Sequence, residues 1–187
     1  MMQGDVTFTV YNLTITSVLV IMLICESIAG GSNIMINYAL GLKSFNQFRR
    51  IMTIGFLLIS SYKLFWIVII IAVGDQLIIL LIEVLEVQAV VLNIKVYYIF
   101  TLIVFAYHPF IAEAISALGF PIFPTYSALI GRLGINVGLA ILFIKTNVGD
   151  GSILLSCIIS QCIILTTNSV YLISKIRMCL KAKPALS

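Results

Sequence analysis

Five apolar stretches, each long enough to cross a bilayer, occupy almost all of this 187-residue chain, and they restrict its fold more than any motif does. Crossing a hydrocarbon layer about 30 Å thick takes about 20 apolar residues as an α-helix, because each backbone N–H and C=O must find its partner within the chain where water cannot reach. The stretches lack the strict alternation of barrel strands. The predicted fold class is therefore an all-α integral membrane protein with five transmembrane helices. Composition agrees: only 10% of residues are charged, against about 25% in a soluble domain.

The spans fall at about 8–40, 51–73, 96–118, 122–144 and 152–174. An amphipathic interfacial segment is expected at about 76–93, where Gln76, Glu83, Glu86 and Asn93 recur among Leu, Ile and Val, and a basic cytoplasmic tail at 175–187. About 33 residues of helix reach roughly 50 Å, so the first span should tilt, bend near Gly30-Gly31 or project beyond the bilayer. If connections alternate sides, Lys43, Arg49, Arg50, Lys175, Arg177, Lys181 and Lys183 share one side, while Lys95 and Lys145 share the other. The positive-inside rule then puts the C-terminus in the cytoplasm and the N-terminus outside, in a multi-pass protein of the cell membrane. An outside N-terminus without a signal peptide is consistent with a missing preceding helix.

The net charge of +4 reports this topology, so nucleic acid is not an expected partner; the lipid bilayer is. The four cysteines have no metal-like spacing, and Cys25, Cys157 and Cys162 lie in apolar runs where Cys acts as a small hydrophobe. Neither a metal centre nor a nucleophile–base pair emerges, so an enzyme is not expected. His108, the only histidine, lacks the cluster that a metal site needs.

The stretch Asn37-Tyr-Ala-Leu-Gly-Leu-Lys-Ser-Phe-Asn-Gln-Phe-Arg-Arg50 resembles the end of the second helix of a lobe in multidrug and toxin extrusion (MATE) transporters, where Gly and a basic amphipathic loop precede the third helix. Ile115-Ser-Ala-Leu-Gly-Phe-Pro-Ile-Phe-Pro124, followed by Arg132-Leu-Gly-Ile-Asn-Val-Gly-Leu-Ala140, resembles that family's turn between the fourth and fifth helices. The resemblance covers about 12–177, resting on order and spacing, and Ser116-Ala117 departs from the Arg-Gly of many members. It implies helices two to six of an incomplete six-helix lobe, the C-terminal one by the basic tail. It further implies a second lobe as partner, supplied by a separate chain, a missing segment or a homodimer. The function implied is proton- or sodium-coupled antiport that exports organic cations or drugs, a multidrug efflux of xenobiotics, with H+ or Na+ in place of any cofactor. Two alternatives stay open: a lipid-linked oligosaccharide flippase of the same superfamily, and a non-transporting membrane scaffold or fragment.

Four ionisable residues fall inside the predicted spans: Glu26, Lys63, Glu113 and Arg132. A charge at a helix centre costs about 2.5–3.5 kcal/mol on insertion scales, so the bundle interior is their expected place. Rise per residue puts Glu113, Arg132, Lys63 and Glu26 at roughly 8, 15, 18 and 21 Å from the cytoplasmic end. Matching depths predict two interior pairs, Glu26 with Lys63 and Glu113 with Arg132. Such pairs either only fix helix register or include a working group, and Glu113 is the candidate for binding the coupling ion. Some sodium-coupled members of the resembling family have an acid on this helix. Pro109 removes a backbone hydrogen bond and should kink the third span. Tyr107 and Phe110, with Trp66, Tyr97 and Tyr98, could line an organic-cation cavity through cation–π contacts. Gly134 and Gly138 form a small-xxx-small face suited to close packing within the bundle.

Overall fold

The computed structural model describes residues 3–81, 85–146 and 152–181, which are helices and their short connections with no strand among them. Helix α1 covers Gln3–Gly41, α2 Phe45–Leu81, α3 Leu85–Phe105, α4 His108–Ala117, α5 Ile122–Leu129, α6 Val137–Lys145 and α7 Ser152–Lys181, with a π-helical segment at Ile130–Asn136 joining α5 to α6. Five of the resulting rods are long and apolar enough to cross a membrane: Ile15–Gly41, Phe45–Gln76, Val87–Ala117, Ile122–Lys145 and Ser152–Met178. The protein is an all-α membrane protein.

The broken rod α3–α4 lies at the centre. Helix α1 packs on α2, α3 and α4, whereas α7 packs on α3, α4 and every part of the fourth rod. One core cluster joins α1, α2 and the break through Val18, Met22, Cys25, Ile59, Leu102 and Phe110, and a second joins α1, α2, α4 and α7 through Ile36, Phe48, Ile115 and Leu172. Much of the remaining apolar surface is exposed, including Leu64 at 62%, Leu133 at 65% and Val170 at 63%. Lipid is the solvent that these side chains require.

Helix α1 runs without interruption through Gly30-Gly31 to Gly41. One expectation changes. The segment 76–93 is no separate interfacial helix: its start closes α2 and its end opens α3. Lys95 Nζ donates to Asp75 Oδ1 at 2.7 Å and Gln88 Nε2 donates to the Ile79 carbonyl at 3.3 Å, so other polar groups of this stretch tie the end of α2 to the start of α3. Glu83 and Lys183 lie outside the described residues.

Close approach is set by two glycines that the sequence did not single out. A Cβ on Gly55 would collide with the ring of Phe110, and one on Gly131 with the side chain of Ile164, whereas Gly134 and Gly138 face open space. The small-residue face of Gly134 and Gly138 is thus not a contact within this bundle. Phe110 is fully buried and has the Phe56 ring edge-on at 5.0 Å, so it has little room to yield. Gly55→Ala and Gly131→Ala should each lower stability by about 1–3 kcal/mol through overpacking, while Gly134→Ala should be neutral or mildly stabilising through helix propensity. Thermal unfolding in detergent checks this order; equal midpoints for the three variants would contradict it.

Candidate functional site

Pro109 stands in the first turn of α4, where its missing N–H costs nothing, and its ring is incompatible with the carbonyl four residues earlier. The helix accordingly ends at Phe105 and restarts at His108. The last carbonyls of α3 are left without helical partners inside the membrane-spanning rod. Lys63 answers this need. Its Nζ, on α2, donates to the Ile103 carbonyl at 2.9 Å and lies 3.6 Å from the centroid of the Tyr107 ring. An ammonium at a helix C-terminus also complements the negative end of the helix dipole. Tyr107 is fixed in turn by a 2.8 Å hydrogen bond between its hydroxyl and that of Ser60, one turn from Lys63 on α2. Lys63 is 6% exposed.

The carboxylate of Glu113 occupies a second site on the same broken rod, between α4 and α1. The Asn33 carboxamide nitrogen donates to Glu113 Oε2, and the Asn37 carboxamide nitrogen donates to Asn33 Oδ1. Asn33 and Asn37 are four residues apart and so share one face of α1. Glu113 is half-buried and lies about 6 Å of helix rise before the end of α4. Among the described residues the only ion pair is Lys95 with Asp75, so this carboxylate has neutral amides but no fixed cation beside it.

Neither predicted interior pair forms. Glu26 is exposed while its neighbour Cys25 is fully buried; Arg132 is exposed while its neighbour Gly131 is buried. Depth matched in both cases, but neighbouring helix positions differ by about 100° in direction. Lys63 therefore binds a carbonyl and an aromatic face, and Glu113 binds an amide. Phe110 is wholly packed in the core, and the face of Tyr107 is taken by Lys63. Tyr97 does line a groove of about 530 Å³ with Asn93, Val96, Phe100, Leu155 and Ile158. His108 is 8% exposed and its Nε2 meets no hydrogen-bond partner among the described residues.

A polar seam along α7 was not anticipated. Ser156 donates to Asn136 Oδ1 at 2.8 Å, Ser160 to the Gly131 carbonyl at 2.6 Å, and Ser127 to Asn168 Oδ1 at 2.7 Å. These bonds fasten the fourth rod to α7 and one of them takes up a carbonyl of the π-helical segment, where the regular ladder is altered. Ser152, Ser156 and Ser160 repeat every four residues, and Asn33 and Asn37 do the same; that spacing was the available signal.

No family model, no curated protein and no solved structure matches the chain.

Proposed function

We propose that the chain is one lobe of a cation-coupled secondary transporter, MATE-like in plan, that exchanges H+ or Na+ for organic cations. The observation that carries this reading is the Glu113 carboxylate, half-buried between α1 and α4, fixed by Asn33 and without a cationic side chain beside it. A carboxylate in an apolar setting is stable when a proton or metal cation neutralises it, and oxygen donors suit Na+. Occupied and empty Glu113 are the two states of coupling, and α4 is the element whose packing on α1 they bias.

Glu26 and Arg132 support a covering partner. Both are exposed on membrane-spanning rods, and lipid contact at the helix centre costs about 2.5–3.5 kcal/mol per charge. A second lobe, or the aqueous path between lobes, removes that cost; alternating access proceeds by rocking such lobes about a site at their interface. The basic residues Lys43, Arg49 and Arg50 around the start of α2, with Lys175, Arg177 and Lys181 near the end of α7, favour a cytoplasmic C-terminus in the cell membrane.

The test is efflux of a fluorescent organic cation from proteoliposomes holding the chain with its second lobe, driven by an imposed proton or sodium gradient. Wild-type protein should respond to one gradient, and Glu113→Gln to neither. Gradient-driven efflux at wild-type rate by Glu113→Gln would overturn the assignment.

A further inference from the structure

An apolar groove of about 460 Å³ opens between the start of α2 and the end of α7, at the most basic end of the molecule. Phe45, Phe48, Met52 and Phe56 form one wall, Leu172, Ile173 and Ile176 the other, and Ile111 of α4 also lines it. Along α2 the wall below Arg49 extends about 10 Å to Phe56, from seven residue steps of 1.5 Å, which fits within one leaflet of a hydrocarbon layer about 30 Å thick. Arg49, a single helical step beyond Phe48, is the charged residue in the lining. Arg177 follows Ile173 by four residues and so shares its face of α7. No Asp or Glu occurs between residues 42 and 56 or between 165 and 181.

We propose that this groove is a binding site for an anionic phospholipid of the adjoining leaflet, with one acyl chain between α2 and α7 and the headgroup phosphate on Arg49 and Arg177. The volume lies within the roughly 300–1,000 Å³ usual for small-molecule sites. Its chemistry has the order that a phospholipid has: apolar along the leaflet's depth and cationic at the level of the phosphates. Phe45 and Phe48, stacked with ring centroids 5.8 Å apart beside Arg49, stand where aromatic side chains meet headgroups. Basic pockets between transmembrane helices bind anionic headgroups in this way. Lipid seated here would touch α2, α4 and α7 together and so join the helix that carries Glu113 to the bundle's basic end. Site and ligand stand independently of the transport reading.

Delipidated chain in a neutral detergent, titrated with phosphatidylglycerol, phosphatidylcholine or glycerol phosphate and read by native mass spectrometry and unfolding midpoint, tests this. Phosphatidylglycerol should be retained and raise the midpoint, while phosphatidylcholine should bind at least about fivefold more weakly, the discrimination expected of about one basic contact. Glycerol phosphate should do neither, since it lacks the chain that fills the groove. Arg49→Gln combined with Arg177→Gln should erase the preference between the two lipids. Ile173→Trp, which fills the groove from an exposed rim position and leaves the core untouched, should abolish retention while the helical signal stays native. Equal retention of both phospholipids by the wild type, or undiminished retention by Ile173→Trp, would overturn the proposal. So would disulfide cross-linking of two chains through Cys placed at Ile173 without lipid retention, which would assign the groove to a second copy.

Discussion

Lys63→Glu is expected to be the most damaging single charge change in this protein, lowering stability by more than about 4 kcal/mol or preventing recovery of folded protein from membranes, a size that few single substitutions reach. The native ammonium is 6% exposed and sits against the Ile103 carbonyl and the face of Tyr107. Both are electron-rich, and both repel a carboxylate that could regain water only by leaving the core. Lys63→Met separates charge from shape. It removes the bond to Ile103, a loss of about 1–3 kcal/mol for an acceptor left unpaired, but it also removes the desolvation cost of a buried ion. The Met variant should therefore fold and unfold at a moderately lower midpoint. Adding Glu26→Ala to Lys63→Met should give additive losses, because the two residues share no contact. Unfolding in detergent reads all three; a Glu variant as stable as the Met variant would mean that the break in the third rod is not held by a cation.

The second large effect concerns Glu113. Glu113→Gln retains an oxygen that can accept from Asn33 and nearly the same volume, but it cannot take up a proton or neutralise a cation. Loss of ion response should be complete while the unfolding midpoint changes little. Asn33→Ala is expected to act in the opposite direction. The Asn33 carboxamide donates to the carboxylate and so stabilises its unoccupied form; hydrogen bonds to charged groups contribute about 1.5–3 kcal/mol, so its loss should tighten cation binding by about tenfold or more. A wild-type response in both variants would make the cluster a helix clamp only.

The spans were legible because length and apolarity are one-dimensional properties, and five predicted spans correspond to five membrane-length rods. Their ends were less legible. Gln76, Asn93 and their neighbours have the composition of an interfacial helix, but they fall in α2 and α3, and the Lys95–Asp75 bridge between those helices depends on where two chain segments meet. Depth of the charged residues could be counted along each helix; direction around the axis could not. Cys25 and Glu26, or Gly131 and Arg132, are adjacent in sequence and fall on opposite sides of the boundary between core and exterior. Pairing by depth alone therefore assigned Lys63 and Glu113 the wrong partners. Pro109 was readable as a break, but the cation that settles on the carbonyls near it comes from α2, forty residues away. Neutral polar residues carry no charge to mark them inside an apolar span. Asn33 and Asn37, and Ser152, Ser156 and Ser160, carry the same helical periodicity as an apolar face and are visible once amides and hydroxyls inside spans are treated as contacts in need of partners.

The central claim, that Glu113 is a neutralisable cation site rather than half of an ion pair, is tested most directly by infrared difference spectroscopy of the chain in lipid nanodiscs. Spectra are taken on acidification at constant sodium and on sodium addition at constant pH, with Glu113→Gln as the reference. The account predicts a carboxyl signal that changes with one of these ions, shifts in Asn33→Ala, persists in Arg132→Gln and vanishes in Glu113→Gln. Identical ion-induced spectra from the wild type and Glu113→Gln, or a wild-type signal that Arg132→Gln removes, would contradict it.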